Sequence, residues 1–303
     1  MPRLGSNNPE RTFAIQVDVS LESHYRLLEW KDLPNWRQDN EFITSGYCTP
    51  SASLKKCLRS LKHIHNETVN IYSHLLGVLL FLGLFIDVLW RISRYTTIRD
   101  IDYIVFTVFF LGMIACFFLS ALFHTIANHS EDVAIRGVQL DYIGIVLLMW
   151  GAIMPSVYYG FYCEPDLRKV YWIVVSSVAF ACIVITLVPR FRNPQLRPYR
   201  AVMYTFLGLT AIISIVYGVI IHGWAVQNRR IGLTYVIGTA ILNIVAAVIY
   251  STRFPERWQP KRFDIYGHSH QLLHIIVIFA GLVYLVGLLK AVDFAHSRPG
   301  QCI

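Results

Sequence analysis

The chain has 303 residues, of which 55% are hydrophobic and 15% are charged, and its formal net charge at pH 7 is +8. Soluble domains carry about 25% charged residues, so this deficit indicates that lipid is the main solvent of the protein. In so apolar a chain, the positive charge favours basic loops that face anionic lipid headgroups, and we exclude nucleic acid as a partner. The six cysteines form no CxxC pair and no repeating spacing, which favours neither a disulfide framework nor a thiolate metal site.

The first two segments are predicted to lie outside the membrane. Residues 1–52 are polar and predict a mobile N-terminal region. The next segment, 53–64 ("SLKKCLRSLKHI"), places leucines opposite basic residues, a pattern typical of an amphipathic helix that lies on the membrane surface. A soluble connector is the alternative, because the pattern is short.

Seven apolar runs follow between residues 65 and 292, and each is long enough to span about 30 Å of hydrocarbon, which takes roughly 20 residues. The connections between the runs are short, so we expect an all-α membrane protein with one compact seven-transmembrane helix bundle. A short extracytoplasmic tail, 293–303, follows it. The runs cover approximately 70–90, 102–126, 140–160, 170–188, 202–222, 232–250 and 270–290.

The basic residues near the runs predict an orientation, because cytoplasmic segments carry an excess of Lys and Arg. With the N-terminus inside, the inner segments carry 13 of these residues and the outer segments carry 9. We therefore expect an integral multi-pass protein of the plasma membrane or an endomembrane, with a cytoplasmic N-terminus.

Two histidines stand four residues apart where the seventh run begins, in "GHSHQLLH" (267–274). On a helix, His270 and His274 share one face, and this spacing allows two imidazoles to hold one metal ion. His124 lies at the end of the second run, and parity places that end on the same side of the membrane as the start of the seventh. The three histidines are therefore predicted to converge on one metal ion.

Two more polar side chains are expected at the same depth, Asp141 at the start of the third run and Ser120 one turn before His124. Ionisable groups inside a membrane span are costly and usually functional. Three neutral imidazoles suit zinc with one open position, so we expect one Zn²⁺ per chain. Asp141 and Ser120 are then candidate catalytic residues beside a water that zinc activates. The alternative is a structural zinc that clamps the helices together.

The segment "HNETVNIYSHLLG" (65–77) brings further polar residues to the same side of the membrane. His65, Asn66, Glu67 and His74 could support the metal ligands, and we name His65 and His74 as candidates for that role. Helix capping explains several of these residues equally well. His268 points away from the face of the predicted metal pair and is expected at the membrane interface.

Together these stretches resemble the progestin and adiponectin receptor family, which includes the haemolysin III-like proteins. The resemblance implies seven helices, a cytoplasmic N-terminus and zinc near the cytoplasmic side. It also implies that the serine of "SALFH" is Ser120, its ligand histidine His124, the aspartate of "LDY" Asp141, and the histidines of "SHQLLH" His270 and His274. The chain lacks the long acidic N-terminal region of animal adiponectin receptors and looks nearer to the fungal or plant branch. The matching segments are "LPNWRQDNEFITSGY", "HNETVNIYSHLLG", "SALFHT", "LDYIGI", "YYGFYC" and "FPERWQPKRFDIYGHSHQLLH".

Members of that family differ in activity, and three functions stay open. The first is a zinc-binding, receptor-like protein that hydrolyses a lipid amide as a ceramidase does, linked to lipid metabolism, signalling or zinc homeostasis. The second is a receptor whose zinc is purely structural. A zinc transporter ranks last, because the fourth and fifth runs contain no Asp, Glu, Lys or Arg and the site lies near one face. Expected partners are membrane lipids (ceramide, a related lipid amide or a sterol), while an extracellular ligand and an oligomer are also compatible.

Overall fold

The computed structural model describes residues 26–188 and 197–297, and this part of the chain forms nine α-helices, α1 to α9. Seven of them, α2 to α6 with α8 and α9, are long and apolar enough to cross a membrane. The helices are α1 (Leu54–Ser60), α2 (Thr68–Ile92), α3 (Asp100–Ile126), α4 (Glu131–Gly160), α5 (Pro165–Leu187), α6 (Arg197–His222), α7 (Trp224–Ile231), α8 (Leu233–Thr252) and α9 (Ser269–Ser297).

These helices confirm the predicted all-α, seven-helix bundle, and the described residues contain an isolated β-bridge, Leu28 with Tyr47, rather than a sheet. Several helices extend beyond the apolar runs. α4 begins at Glu131, ahead of the run 140–160, because a polar first turn can lie outside the hydrocarbon. α9 continues to Ser297, so the first part of the predicted tail is helical, and residues 298–303 lie outside the described residues.

A short helix that the apolar runs did not predict, α7, separates α6 from α8. Gly223 and Gly232 flank it with φ angles of +77° and +63°, a region that glycine enters without steric cost. A Cβ atom on Gly232 would also lie 2.7 Å from the carbonyl oxygen of Gly287. The start of α8 therefore packs directly against the backbone of α9.

The centre of the bundle is filled by aromatic side chains, while apolar side chains also cover its outside. Phe81 and Phe110 are fully buried, whereas Leu79 and Ile86, on the opposite face of α2, are 66% and 71% exposed. A helix that is apolar all round is typical of a membrane span. Polar groups buried within such a bundle therefore mark places where a specific function or contact is needed.

Helices α3 and α4 approach each other until their backbones touch. A Cβ atom on Gly112 would lie 2.6 Å from the carbonyl oxygen of Leu147, and one on Gly144 would lie 2.9 Å from the Cα of Cys116. Small residues at a helix interface allow this approach in membranes. The contact brings the polar residues near the end of α3 beside those near the start of α4.

The N-terminal segment from residue 26 to residue 52 packs against the loop between α8 and α9. The buried carboxylate of Asp264 accepts hydrogen bonds from the amide and hydroxyl of Thr44, both at 2.9 Å, and from the Ser45 hydroxyl at 2.6 Å. Mobility throughout 1–52 stays a prediction from composition, and from residue 26 onward these contacts join the segment to a distant part of the chain. Residues 1–25 lie outside the described residues.

The predicted amphipathic segment 53–64 forms a helix over its first part, α1. Cys57 and Ser60 are buried against the bundle, whereas Leu54 and Leu58 are 56% and 59% exposed. The leucines thus face away from the protein, as they would in a helix that lies on a lipid surface. Contact of α1 with lipid stays a prediction.

Cys163, in the turn between α4 and α5, is disulfide-bonded. Cys48, Cys57, Cys116 and Cys182 are free thiols, and Cys302 lies outside the described residues. The cysteine spacing contained no sign of this bond, because a single bridge leaves no repeating pattern. Disulfides persist in oxidising compartments, so the bond bears on the orientation of the bundle.

Candidate metal centre

Three histidines meet where α3 ends and α9 begins. One ring nitrogen from each of His124, His270 and His274 lies within 4.8 Å of the other two. His124 and His274 are buried, and His270 is partly buried. The arrangement is the one predicted from spacing and parity. We call this end of the bundle, where α2, α4 and α9 begin and α3 ends, the metal end, and the opposite end the far end.

The start of α9 is held by hydrogen bonds that replace those missing at a helix N-terminus. The buried Glu256 carboxylate accepts from the Ser269 amide at 2.8 Å and also from the Ser269 hydroxyl. The Gln271 side chain accepts from the Gly267 amide at 2.6 Å. Capping of this kind makes the helix begin at Ser269, so His270 already lies in its first turn and projects into the site.

His124 is oriented by a carboxylate from α2. Its Nδ1 lies 2.8 Å from Oε2 of Glu67, and the same oxygen accepts a hydrogen bond from the Asn70 side chain at 2.6 Å. A proton on Nδ1 leaves Nε2 as the atom with a free lone pair. That Nε2 atom is buried and has no hydrogen-bond partner in the ranges that the structure describes. A carboxylate behind a histidine is the usual support of a metal ligand, because it fixes the tautomer and orients the ring.

His274 has an equivalent support from the backbone of α2. Its Nδ1 lies 3.2 Å from the carbonyl oxygen of Asn70, which leaves Nε2 as the nitrogen that can bind a metal. From the sequence, Glu67 was expected on the same side of the membrane as the metal ligands, but it was not named as a site residue. The signal that could have singled it out is the Glu67–Asn70 spacing, which sets both side chains on one face at the start of α2.

The two candidates for supporting residues differ in how close they come to the centre. His74 stacks on His274 with ring centroids 3.7 Å apart and planes 12° apart, and both of its ring nitrogens are buried without a partner in the described ranges. His65 lies farther out, where its Nδ1 accepts a hydrogen bond from the Glu67 amide at 3.2 Å. His74 therefore touches a candidate ligand, whereas His65 supports the segment that carries Glu67.

His268 was expected at the membrane interface, which stays a prediction, and the structure shows that its side chain points into the protein. It is buried, and its Nε2 lies 3.1 Å from the carbonyl oxygen of Asn66. Burial lowers the pKa of this imidazole, so it stays neutral at physiological pH. It joins the start of α2 to the start of α9 and thereby fixes the spacing between these two helices.

Asp141 and Ser120 lie beside the histidines, across the close contact of α3 and α4. The Asp141 carboxylate interacts electrostatically with His124 and lies next to Ser120. The Ser120 hydroxyl is buried and lies close enough to the Asp141 carboxylate for a weak hydrogen bond, but it has no partner of good geometry in the described ranges.

The donor set fits a metal ion. Three imidazoles converge, one backed by a carboxylate and one by a backbone carbonyl, and a buried Nε2 lone pair lacks a protein partner in the described ranges. Neutral imidazoles in this number suit zinc, with a further position open to water or substrate.

Comparisons with known proteins identify the family of the chain. The family described as "Haemolysin-III related" matches residues 62–285. The "Adiponectin receptor protein" of Drosophila melanogaster is 40% identical over 268 residues, which cover 88% of this chain and 60% of the fly protein. The "ADIPOR-like receptor IZH2" of Saccharomyces cerevisiae is 37% identical over 273 residues, covering 90% and 86% of the two chains. The "Heptahelical transmembrane protein 3" of Arabidopsis thaliana is 31% identical over 310 residues and covers 90% of each.

Proposed function

This chain belongs to the haemolysin-III-related family, and from that premise we propose that it is a zinc-dependent membrane hydrolase that cleaves a lipid amide such as ceramide. The observation that carries the proposal is the group of three converging histidines, with Asp141 and the buried Ser120 hydroxyl beside it. The predicted membership of the progestin and adiponectin receptor family is confirmed, and its relatives include fungal, plant and animal proteins.

His124, His270 and His274 would hold the zinc ion, one per chain. A bound zinc ion supplies a Lewis acid that polarises a carbonyl group and lowers the pKa of water towards about 7. Glu67 fixes the tautomer of His124, and the Asn70 carbonyl fixes that of His274. Both contacts leave Nε2 of the ring free to bind, which is the form that a metal ligand requires.

Asp141 is the candidate general base and acid. Its carboxylate would accept the proton of the attacking water and return it to the amide nitrogen as the C–N bond breaks. A positioned group of this kind contributes roughly 10²–10⁴-fold to the rate. Ser120 would donate a hydrogen bond to the substrate carbonyl, for which its buried hydroxyl lies beside Asp141.

A lipid substrate suits the position of the site. The histidines lie at one end of the spanning helices, where an amide near a lipid headgroup would reach them while its acyl chains stay in the membrane. Apolar side chains such as Leu79 and Ile86 cover the outside of the bundle, so a lipid could approach from the side.

We also propose that the metal end and the N-terminus face the cytoplasm. The excess of Lys and Arg, 13 against 9, lies at the metal end. The disulfide-bonded Cys163 lies at the far end, which supports an oxidising compartment there. A glycosylation reporter fused before residue 26 should stay unmodified, whereas glycosylation of that reporter would contradict this orientation.

A receptor with a structural zinc is the second candidate. It is supported by the name of the fly relative, a receptor, and by the way the site joins three helices, with Asn70 on α2, His124 on α3 and His274 on α9. In that case the zinc would clamp the helices, and a ligand outside the membrane would be sensed through them. Transport ranks third, because the site lies at one end of the bundle rather than at its midplane.

One experiment separates the first two functions. The purified protein in lipid nanodiscs would be analysed for zinc by elemental mass spectrometry and for release of fatty acid from ceramides of several chain lengths. Hydrolysis that disappears when a chelator removes zinc, and returns when zinc is added, supports the hydrolase. A zinc-loaded protein that releases no fatty acid from any ceramide rejects it and leaves the receptor.

A further inference from the structure

The far end of the bundle carries two guanidinium groups on a floor of aromatic rings. Arg99, just before α3, lies over the Tyr162 ring at 4.5 Å and donates a hydrogen bond to the Tyr158 hydroxyl at 2.9 Å. Arg168, in the first turn of α5, lies 5.1 Å from the ring centre of Tyr158 and 5.6 Å from that of Trp172. Two cations from separate parts of the chain thus share one aromatic surface.

The nearby carboxylates do not neutralise this pair. Asp102 is fully buried, and it already accepts from the Tyr159 hydroxyl at 2.9 Å and the Arg99 amide at 3.0 Å, with His296 Nε2 at 3.2 Å. Its distance to the Arg99 guanidinium is 4.0 Å, the outer limit of an ion pair. Asp102 is therefore bonded mainly to groups at the ends of α3, α4 and α9, and it offsets the charge of the Arg99 guanidinium only in part.

Arg168 lacks even a distant partner of this kind. No carboxylate of the described residues forms an ion pair with it, and Asp166, two residues before it, pairs instead with Lys169 at 3.2 Å. Both guanidinium groups lie near one ring, Tyr158, with Arg99 at 5.9 Å and Arg168 at 5.1 Å from its centre. Like charges repel, and the aromatic rings offset this repulsion only in part. An anion that contacts both groups would offset the rest.

A hydroxyl group completes the set of donors. Tyr162 is partly buried and lies close enough to both guanidinium groups to interact with them electrostatically. Burial raises the pKa of Tyr162, so this phenol keeps its proton at neutral pH and can donate it in a hydrogen bond. Two planar forks of N–H groups and one O–H group match the oxygens of a phosphate.

The position of the pair points to the membrane surface as the source of the anion. Trp172 packs against Arg168, and aromatic residues of this kind concentrate where a span meets the headgroups. Arg99 stays accessible, with a side chain that is 49% exposed. A phosphate at headgroup depth could therefore reach both guanidinium groups.

We propose that Arg99, Arg168 and Tyr162 form a phosphate-binding site at the far end of the bundle. The phosphate belongs to a phospholipid headgroup of that leaflet or to a free phosphate ester. The site is separate from the metal centre and does not depend on the hydrolase function.

The test compares lipid and phosphate binding in Arg168→Gln, Arg99→Gln and the double variant with the parent protein. Native mass spectrometry would count phosphatidylglycerol molecules retained from mixed phosphatidylglycerol and phosphatidylcholine nanodiscs. A thermal-shift titration with inorganic phosphate would measure binding from solution. Arg168→Gln removes no ion pair of the described chain, so it should leave folding intact and still lower the retained phosphate ligand.

Arg94→Gln is the matched control, because Arg94 lies in the same connection as Arg99 and stacks alone on Trp90 at 3.7 Å. We expect the double variant to lose about tenfold in affinity, which corresponds to roughly 1.4 kcal/mol, and the control to keep the parent value. Loss of lipid retention identifies a headgroup site, and loss of the phosphate-induced shift identifies a site for a soluble ester. Equal retention in all variants, or an equal loss in Arg94→Gln, overturns the proposal, since general attraction to a basic surface would then explain the binding.

Discussion

Both ends of the bundle bury polar side chains, but they leave opposite kinds of atom available. At the metal end, the available atoms are lone pairs, with three imidazoles converging and His124 Nε2 unpartnered in the described ranges. At the far end, the acceptor is the Asp102 carboxylate, which already contacts the Tyr159 hydroxyl, the Arg99 amide and the His296 ring. The groups left there are the N–H donors of Arg99 and Arg168.

This difference shows which ligand each end can take. Converging lone pairs attract a cation, whereas converging N–H donors attract an anion. Whether a buried polar atom has a partner within the protein also separates residues with a structural role from residues that can bind a ligand. Asp102 accepts hydrogen bonds from within the protein and joins helix ends, whereas the buried Nε2 of His124 has no partner in the described ranges and is open to a ligand.

The largest effect is expected when a candidate ligand is removed. His124→Ala should reduce the zinc content to background and abolish ceramide hydrolysis, because two remaining imidazoles cannot hold the ion firmly. His129→Ala is the control, since His129 lies in the next turn of the chain and contacts Ser130 at 2.9 Å instead of the centre. Elemental analysis of both purified variants checks this, and full zinc in His124→Ala would remove His124 from the ligand set.

Replacing the candidate base should separate binding from turnover. Asp141→Asn keeps the size of the side chain and should retain zinc, while hydrolysis falls by roughly 10²–10⁴-fold. Asp132→Asn, an exposed change on the same helix, should behave as the parent. If Asp141→Asn releases fatty acid at the parent rate, Asp141 does not transfer the proton.

A smaller effect is expected from the residue behind His124. Glu67→Gln removes the charge that holds Nδ1 of the ring and should weaken zinc binding by about 10–100-fold. The measurement is a competition titration with a zinc-binding dye, with Glu131→Gln, exposed at the same end, as control. Unchanged zinc affinity would show that Glu67 holds the ring without tuning the metal.

The smallest effect is expected at the far end, where a substitution should change the free energy of unfolding and leave the zinc content unchanged. Asp102→Asn places an amide among hydrogen-bond donors and should lower the free energy of unfolding by about 1–3 kcal/mol. Asp100→Asn, exposed in the same first turn of α3, should leave the melting temperature unchanged. Zinc content should be equal in both variants, and loss of zinc from Asp102→Asn would contradict the separation of the two ends.

Much of the fold could be predicted because the membrane restricts the possible structures. Seven apolar runs predicted seven spans, and parity alone placed His124 at the same end as His270 and His274. The short helix α7 escaped this reasoning, because its boundaries depend on backbone angles at Gly223 and Gly232 rather than on hydropathy. Mobility throughout 1–52 was predicted from composition, whereas the buried Asp264 decides where residues 26–52 lie.

The sequence by itself determined the number of spans and the end of the bundle at which the histidines meet, whereas zinc as their ion stays a prediction. Hydropathy and helical spacing are local properties, so they can be read without knowing which helices are neighbours. Only the tertiary structure decided that Glu67 supports His124, that His74 stacks on His274 and that Arg99 and Arg168 share one aromatic floor. These contacts join residues far apart in the chain, and they depend on helix packing and side-chain rotamers that no local pattern encodes.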